Sequence, residues 1–198
     1  MEQLRWEDSL NIVVIGMGYP STTNLWFALR AGVGIPCAAL LVDVEGFNVT
    51  GIQRRSACSG WKIEWLNSGR SPFEGDEPGL AELIHRVAVE KGSFRVTDDY
   101  AACAEADVIL IDLQTPTDAE HGNHVPHYES LREVSAEAGR CLQPGALVII
   151  ESTVAPDATQ HVVQPILERE SGLRGGRAGA VAAPRRARGE SRAPFFLA

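Results

Sequence analysis

The chain has 198 residues, 44% of them hydrophobic and 22% charged, with a formal net charge of -8 at pH 7; this is the composition of a globular protein of one large domain, or one domain and a tail. From Ser171 onward six arginines face the single acid Glu190, while the residues before carry 12 basic and 25 acidic side chains. An acidic body argues against nucleic acid as a partner, and no apolar run approaches the roughly 20 residues that span a bilayer, so no membrane association is expected.

The N-terminus, Met1-Glu2-Gln3-Leu4-Arg5, lacks the basic region and apolar core of a signal peptide. Cys37, Cys58, Cys103 and Cys141 are widely spaced, with no C-x-x-C pair. Reduced thiols in a cytoplasmic protein fit this better than a disulfide frame or a zinc site.

Residues 1–10 read as an N-terminal extension. The first strand follows at 11–16 and runs into Gly16-Met17-Gly18-Tyr19. A third glycine should complete G-x-G-x-x-G at once. Instead 13 residues, 20–32, intervene before Val33-Gly34-Ile35-Pro36. With 20–32 set aside the sequence reads Gly-Met-Gly-Tyr-Val-Gly-Ile-Pro, a complete dinucleotide-binding fingerprint, which turns a strand sharply and aims a helix N-terminus at a pyrophosphate. The insert itself reads either as an extruded loop or as a short helix through Leu25-Trp26-Phe27 capped by Thr22 or Thr23.

Helical patterns at 35–44, 79–90, 99–104, 128–141 and 158–170 alternate with strand-like runs at 47–52, 93–97, 107–113 and 146–151. Near-continuous Val/Ile/Leu strands alternating with helices predict an α/β fold: a doubly wound, Rossmann-like parallel sheet over 11–173. Gly46 is placed to end a helix and Gln143-Pro144-Gly145 to open a strand. From 174 to 198 the sequence is Gly, Ala, Arg and Pro without periodicity, and a disordered tail is expected.

The second strand ends at Gln53-Arg54-Arg55. Gln53 lies 37 positions after Gly16, or 24 without the insert, close to the roughly 20 expected for the acid that binds ribose in such folds. The acid is missing. Arg54 and Arg55 either accommodate a 2′-phosphate, which makes NADP an alternative to NAD, or simply face solvent. His121, His124 and His127 are spaced by three, but Gly122 and Pro126 interrupt any one helix, so a solvated loop is expected and no metal.

Further motifs follow in order: Leu66-Asn67-Ser68-Gly69, Glu77-Pro78-Gly79-Leu80, Thr115-Pro116-Thr117 after one strand and Glu151-Ser152-Thr153-Val154 after another. With the split fingerprint they closely resemble the N-terminal NAD-binding domain of the UDP-glucose/GDP-mannose dehydrogenase family, and the Glu-Ser-Thr version suggests the branch acting on UDP-N-acetylmannosamine. The resemblance implies an NAD-dependent oxidoreductase domain of polysaccharide biosynthesis. Its full-length relatives oxidise a nucleotide sugar to the uronic acid. It also implies that Gly16, Gly18, Tyr19, Val33 and Gly34 serve the pyrophosphate, with Gln53 and Arg54 at the ribose position. Thr115 and Ser152 would lie along the cofactor. Thr153 would lie there too and help position a catalytic water. Glu151 and Glu77 read as structural, Glu77 by suiting a helix start.

The departures from the family are in the C-terminal part. Val181-Ala182-Ala183-Pro184 stands where a Ser-Pro-Glu motif is expected, and no Gly-Gly-x-Cys motif with its nucleophilic cysteine occurs. The expectation is a cofactor domain inactive alone. The alternative is a non-catalytic nucleotide-binding fragment or a frameshifted, truncated gene product. The family's long central helix is absent, which leaves no ground for an oligomer.

Overall fold

The computed structural model describes residues 9–17, 34–57, 59–72, 78–118, 125–177 and 195–198. The described residues divide into two compact units, within Ser9–Asp99 and Tyr100–Ala198.

In the first unit three parallel strands lie in the order β3-β2-β1. β1 (Asn11–Ile15) pairs with β2 (Asn48–Ile52) from Asn11↔Asn48 to Ile15↔Ile52, and β2 with β3 (Phe94–Thr97) from Val49↔Phe94 to Ile52↔Thr97. Ile12, Val13, Val14 and Ile15 are all buried, as expected of a strand covered on both faces. Helix α1 (Gly34–Glu45) makes the crossover from β1 to β2, burying Ile35, Ala38, Ala39 and Val42. It ends at Gly46, whose φ of 71° is the left-handed C-cap expected there.

Helix α2 (Trp61–Asn67) stands where only a motif is legible in the sequence. Helix α3 (Leu80–His85) runs on into a π-helical turn, Arg86–Glu90. Arg86 and Lys91 both pair with Asp43 of α1, at 2.7 and 2.8 Å.

The second unit opens with a 3₁₀ segment, Tyr100–Glu105, in place of the helical turn read at 99–104. β4 (Val108–Ile111) pairs in parallel with β7 (Leu147–Ile150), and the short strands β5 (Thr117–Asp118) and β6 (Val125–Pro126) form an antiparallel pair. Helix α4 (Glu129–Cys141) packs against α5 (Gln164–Ser171), which is preceded by another π-helical turn, Thr159–Val163. Both predicted helices, 79–90 and 158–170, thus contain one widened turn.

The expectation of an irregular tail from 174 differs at both of its ends. β8 (Gly175–Arg177) and β9 (Phe195–Leu197) are strands, and β9 lies between β7 and β8, parallel to both. Phe195 is fully buried and Phe196 nearly so. Three consecutive apolar side chains gain burial by extending the edge of β7, an outcome that local composition does not reveal. Gly175 is held by its N–H donating to Glu168 of α5 at 2.8 Å. The expectation of disorder for 178–194 lies outside the described residues, as does residues 1–8 of the expected extension.

Candidate functional site

In the first unit, candidate site residues gather where β1 and β2 end. Gly16 turns the chain at φ 111°, a conformation that side chains rarely allow. Its N–H donates to the Ile52 carbonyl at 3.2 Å, fastening the turn to the last residue of β2. Met17 is fully buried and lies against Gly51. A Cβ at Gly51 would come within 2.7–2.9 Å of the Met17 side chain. The glycine in β2 is therefore what lets the turn after β1 sit down. Gly34 opens α1, buried and with no acidic side chain in the helix's own first turn. Gly18, Tyr19 and Val33, and the insert 20–32, lie outside the described residues.

Gln53 continues the ladder past β2, its N–H donating to Thr97 at 2.9 Å. Its side chain is buried, 7% exposed. Nε2 donates to the Arg54 carbonyl at 3.2 Å and to Ser59 Oγ at 3.1 Å. Oε1 is buried and, among the described residues, accepts no hydrogen bond. A buried acceptor without a donor is unfavourable, and here it stands at the position where this type of fold receives a ribose hydroxyl. The two arginines differ. Arg55 braces the loop, with Nε 2.8 Å from Asp98 and Nη1 3.1 Å from Glu64, and its guanidinium holds the Asp98 carboxyl below its ordinary range. Arg54 is exposed. The arrangement fits the adenosine end of a dinucleotide: a glycine turn, a helix start and an acceptor one residue past β2.

In the second unit, hydroxyl groups stitch the loops that follow the neighbouring strands β4 and β7. Glu151 and Ser152 both donate their N–H to the Ile111 carbonyl, at 2.9 and 3.2 Å. Ser152 Oγ accepts from the Leu113 N–H at 2.7 Å and donates to the Ile111 carbonyl at 3.3 Å. Thr115 Oγ1 donates to the Thr153 carbonyl, so these bonds bring Thr115, Ser152 and Thr153 together. Thr153 is exposed and Ser152 buried: Ser152 joins the loops, while Thr153 lies at the surface. Partial desolvation, reinforced by Asp112, pushes the Glu151 carboxyl above its ordinary value.

Tyr128 is a contributor that the sequence does not announce. Its hydroxyl accepts from the Ala155 N–H at 3.0 Å and holds the far end of the same loop. A lone tyrosine before a helix carries no periodic or motif signal.

The remaining expected motifs have structural work or lie outside the described residues. Asn67 of Leu-Asn-x-Gly acts as a strand surrogate for β3, with Nδ2 donating to the Val96 carbonyl at 2.8 Å and Oδ1 accepting from the Val96 N–H at 2.7 Å. Cys37, Cys103 and Cys141 form no disulfide. Burial pushes the Cys103 thiol up to about 12, the behaviour of a core residue and not of a nucleophile. Glu77, Cys58, His121 and His124 are outside the described residues, among which no group of three or more metal-ligating side chains occurs.

Comparison with known proteins agrees with this geometry. The model of the UDP-glucose/GDP-mannose dehydrogenase family, NAD binding domain, matches residues 10–193. A GDP-mannose 6-dehydrogenase of Pseudomonas savastanoi pv. phaseolicola is 32% identical over 171 residues, 84% of this chain and 34% of that protein. A UDP-N-acetyl-D-mannosamine dehydrogenase of Pyrococcus horikoshii is 30% identical over 84% of this chain and 34% of its own length. The crystal structure of an NDP-N-acetyl-D-galactosaminuronic acid dehydrogenase from Methanosarcina mazei superposes with a TM-score of 0.72 at 40% identity, covering 86% of this chain and 33% of that one. The chain thus spans about a third of the length of the relatives it matches.

Proposed function

The chain belongs to the UDP-glucose/GDP-mannose dehydrogenase family, as its NAD-binding domain, and we propose that it holds the cofactor of a nucleotide-sugar 6-dehydrogenase acting in polysaccharide biosynthesis in the cytoplasm. NAD supplies the hydride acceptor for oxidation of the sugar alcohol. The substrate class, a UDP- or GDP-sugar, rests on the names of the relatives, and the Glu151-Ser152-Thr153 sequence favours UDP-N-acetylmannosamine. No helix among the described residues is long and apolar enough to cross a membrane.

In this reading Gly16, Gly18, Tyr19, Val33 and Gly34 bind the pyrophosphate, and Gln53 with Arg54 lies at the adenosine ribose. Thr115, Ser152 and Thr153 serve the nicotinamide end, where Thr153 also orients a water through a hydroxyl that both donates and accepts. The observation that carries the reading is the joining of the Thr-Pro-Thr and Glu-Ser-Thr loops by Thr115 and Ser152 at the carboxyl ends of parallel strands, where open α/β sheets bind their ligands. None of the four cysteines stands in a Gly-Gly-x-Cys motif. These 198 residues are therefore proposed to bind the cofactor without oxidising a sugar, and no NADH absorbance should develop with UDP-N-acetylmannosamine.

The test compares NAD⁺ with ADP-ribose, which lacks the nicotinamide. Thr115→Val should weaken NAD⁺ and leave ADP-ribose unchanged. Equal weakening of both, or of neither, contradicts the assignment.

A further inference from the structure

We propose that a cavity in the second unit, between β8 and the π-helical turn before α5, takes the uncharged sugar ring of a nucleotide sugar and disfavours the corresponding uronate. The inference rests on the reading of the chain as the cofactor domain of a nucleotide-sugar dehydrogenase and adds to it a place for the sugar. The cavity has a volume of about 320 Å³ and is lined by Thr159, Gln160, Gln164, Gly175 and Gly176. The π-turn arranges one wall. The Gln164 N–H donates to the Thr159 carbonyl, five residues back, and Thr159, Gln160 and Gln164 share the cavity side. Ala158, Val162 and Ile166 form a buried cluster with Tyr128 and Val154 packed against it. Widened turns of this kind recur at functional sites. Gln164 is fixed in place: its Nε2 donates to Glu168 Oε1 at 3.2 Å, and the same oxygen accepts the Gly175 N–H at 2.8 Å. A Cβ at Gly175 would stand 2.9 Å from Gln164 Nε2, so the glycine lets strand and carboxamide close on each other. The wall is thus set before a ligand arrives.

The chemistry of the lining selects the ligand. Among the described residues nothing hydrogen-bonds to the Thr159 hydroxyl or the Gln160 carboxamide. A hydroxyl and a carboxamide each donate and accept without charge, which suits the hydroxyl and amide groups of a sugar, and Leu197 adds an apolar surface for its C–H face. No basic side chain lines the cavity. A carboxylate entering it would lose water with no cation to answer it. The position is apt as well. Ala198, which also lines the cavity, lies alongside the end of β7: its N–H donates to the Val148 carbonyl at 3.0 Å and its carbonyl accepts from the Ile150 N–H at 3.1 Å. The Glu151-Ser152-Thr153 loop begins at the next residue of the chain after Ile150. A sugar in the cavity therefore sits on the carboxyl rim of the sheet, the rim to which the nicotinamide end is assigned.

The experiment is an NMR titration of the ¹⁵N-labelled full chain with N-acetyl-D-mannosamine and with the corresponding uronate, each to about 50 mM, which reads dissociation constants in the millimolar range. The neutral sugar should shift the amide signals of Gly175 and Gly176 and the carboxamide signals of Gln160 and Gln164. The uronate should bind there at least about fivefold more weakly. Gln160→Ala and Thr159→Val, both outside the buried cluster, should each weaken the sugar at least about threefold and leave NAD⁺ affinity unchanged. No shift at these signals, uronate binding as tight as that of the sugar, or unchanged sugar affinity in both folded variants overturns the inference. NAD⁺ is titrated separately, without sugar. A chain that binds NAD⁺ but not the sugar overturns this inference alone, and one that binds the sugar but not NAD⁺ overturns the cofactor reading alone.

Discussion

Replacing Ser152 by alanine removes the hydroxyl that joins the loops after β4 and β7. The acceptor lost is the important one. The Ile111 carbonyl keeps two N–H donors, from Glu151 and Ser152 themselves, whereas the Leu113 N–H loses its partner at 2.7 Å. Leaving this part-buried donor without its partner costs about 1–3 kcal/mol. For a chain of this length each kcal/mol lowers the melting temperature by about 2–4 °C, so a cost of about 2 kcal/mol predicts a fall of about 4–8 °C. Thermal unfolding followed by circular dichroism measures it, with urea unfolding to check that the m-value is unchanged. Thr153→Ala is the control: its side chain is exposed and its carbonyl, which Thr115 uses, survives the substitution, so its effect should stay within about 0.5 kcal/mol. A Ser152→Ala protein as stable as Thr153→Ala refutes the view that Ser152 holds the two loops.

Asn67→Ala should destabilise by about 2 kcal/mol, since both the N–H and the carbonyl of Val96 lose a side-chain partner; denaturant unfolding measures it, and a neutral effect contradicts the strand-surrogate role. Glu151→Gln should stabilise the protein at neutral pH. The Glu151 carboxyl is raised by partial desolvation and by Asp112, so the folded state disfavours its charge. The gain is full above the folded-state value, shrinks as pH falls through it and vanishes below the ordinary carboxylate range; melting temperatures of the two proteins from pH 4 to 8, roughly the span of a raised carboxyl, should converge on the acid side. Asp43→Asn should do the reverse in origin: Arg86 and Lys91 hold that carboxyl well below its ordinary range, so the wild type's advantage is present at neutral pH and is lost as pH falls through the folded-state value. A gap between the two proteins that does not narrow in acid rejects the assigned pairing.

The parts of the fold with periodic patterns were legible in the sequence. β1, β2, β3, β4 and β7 are apolar runs between helical patterns, and they form at their predicted places because the strands are buried on both faces. What was not legible depends on partners distant in sequence. β9 is three residues whose burial comes from the edge of β7, and α2 is too short for a helical period to show. The π-turns are invisible to a pattern that tolerates one extra residue. At the candidate site, Thr115, Ser152 and Thr153 were picked out by motif and Gln53 by spacing. The bracing role of Arg55 was not, because it is set by Asp98 and Glu64, which lie 43 and 9 positions away.

The central claim, that this chain is a working NAD-binding domain, is tested most directly by calorimetric titration of NAD⁺ into the full chain and into a variant lacking residues 20–32. The account predicts saturable binding at one site in both, weak in the full chain and at least about tenfold tighter without the insert, because restoring even one charge-assisted hydrogen bond between the fingerprint and the pyrophosphate is worth about 1.5–3 kcal/mol. Equal affinities would show that the insert leaves the fingerprint intact; no binding to either protein at about 10 mM, weaker than any functional cofactor site, would contradict the claim itself.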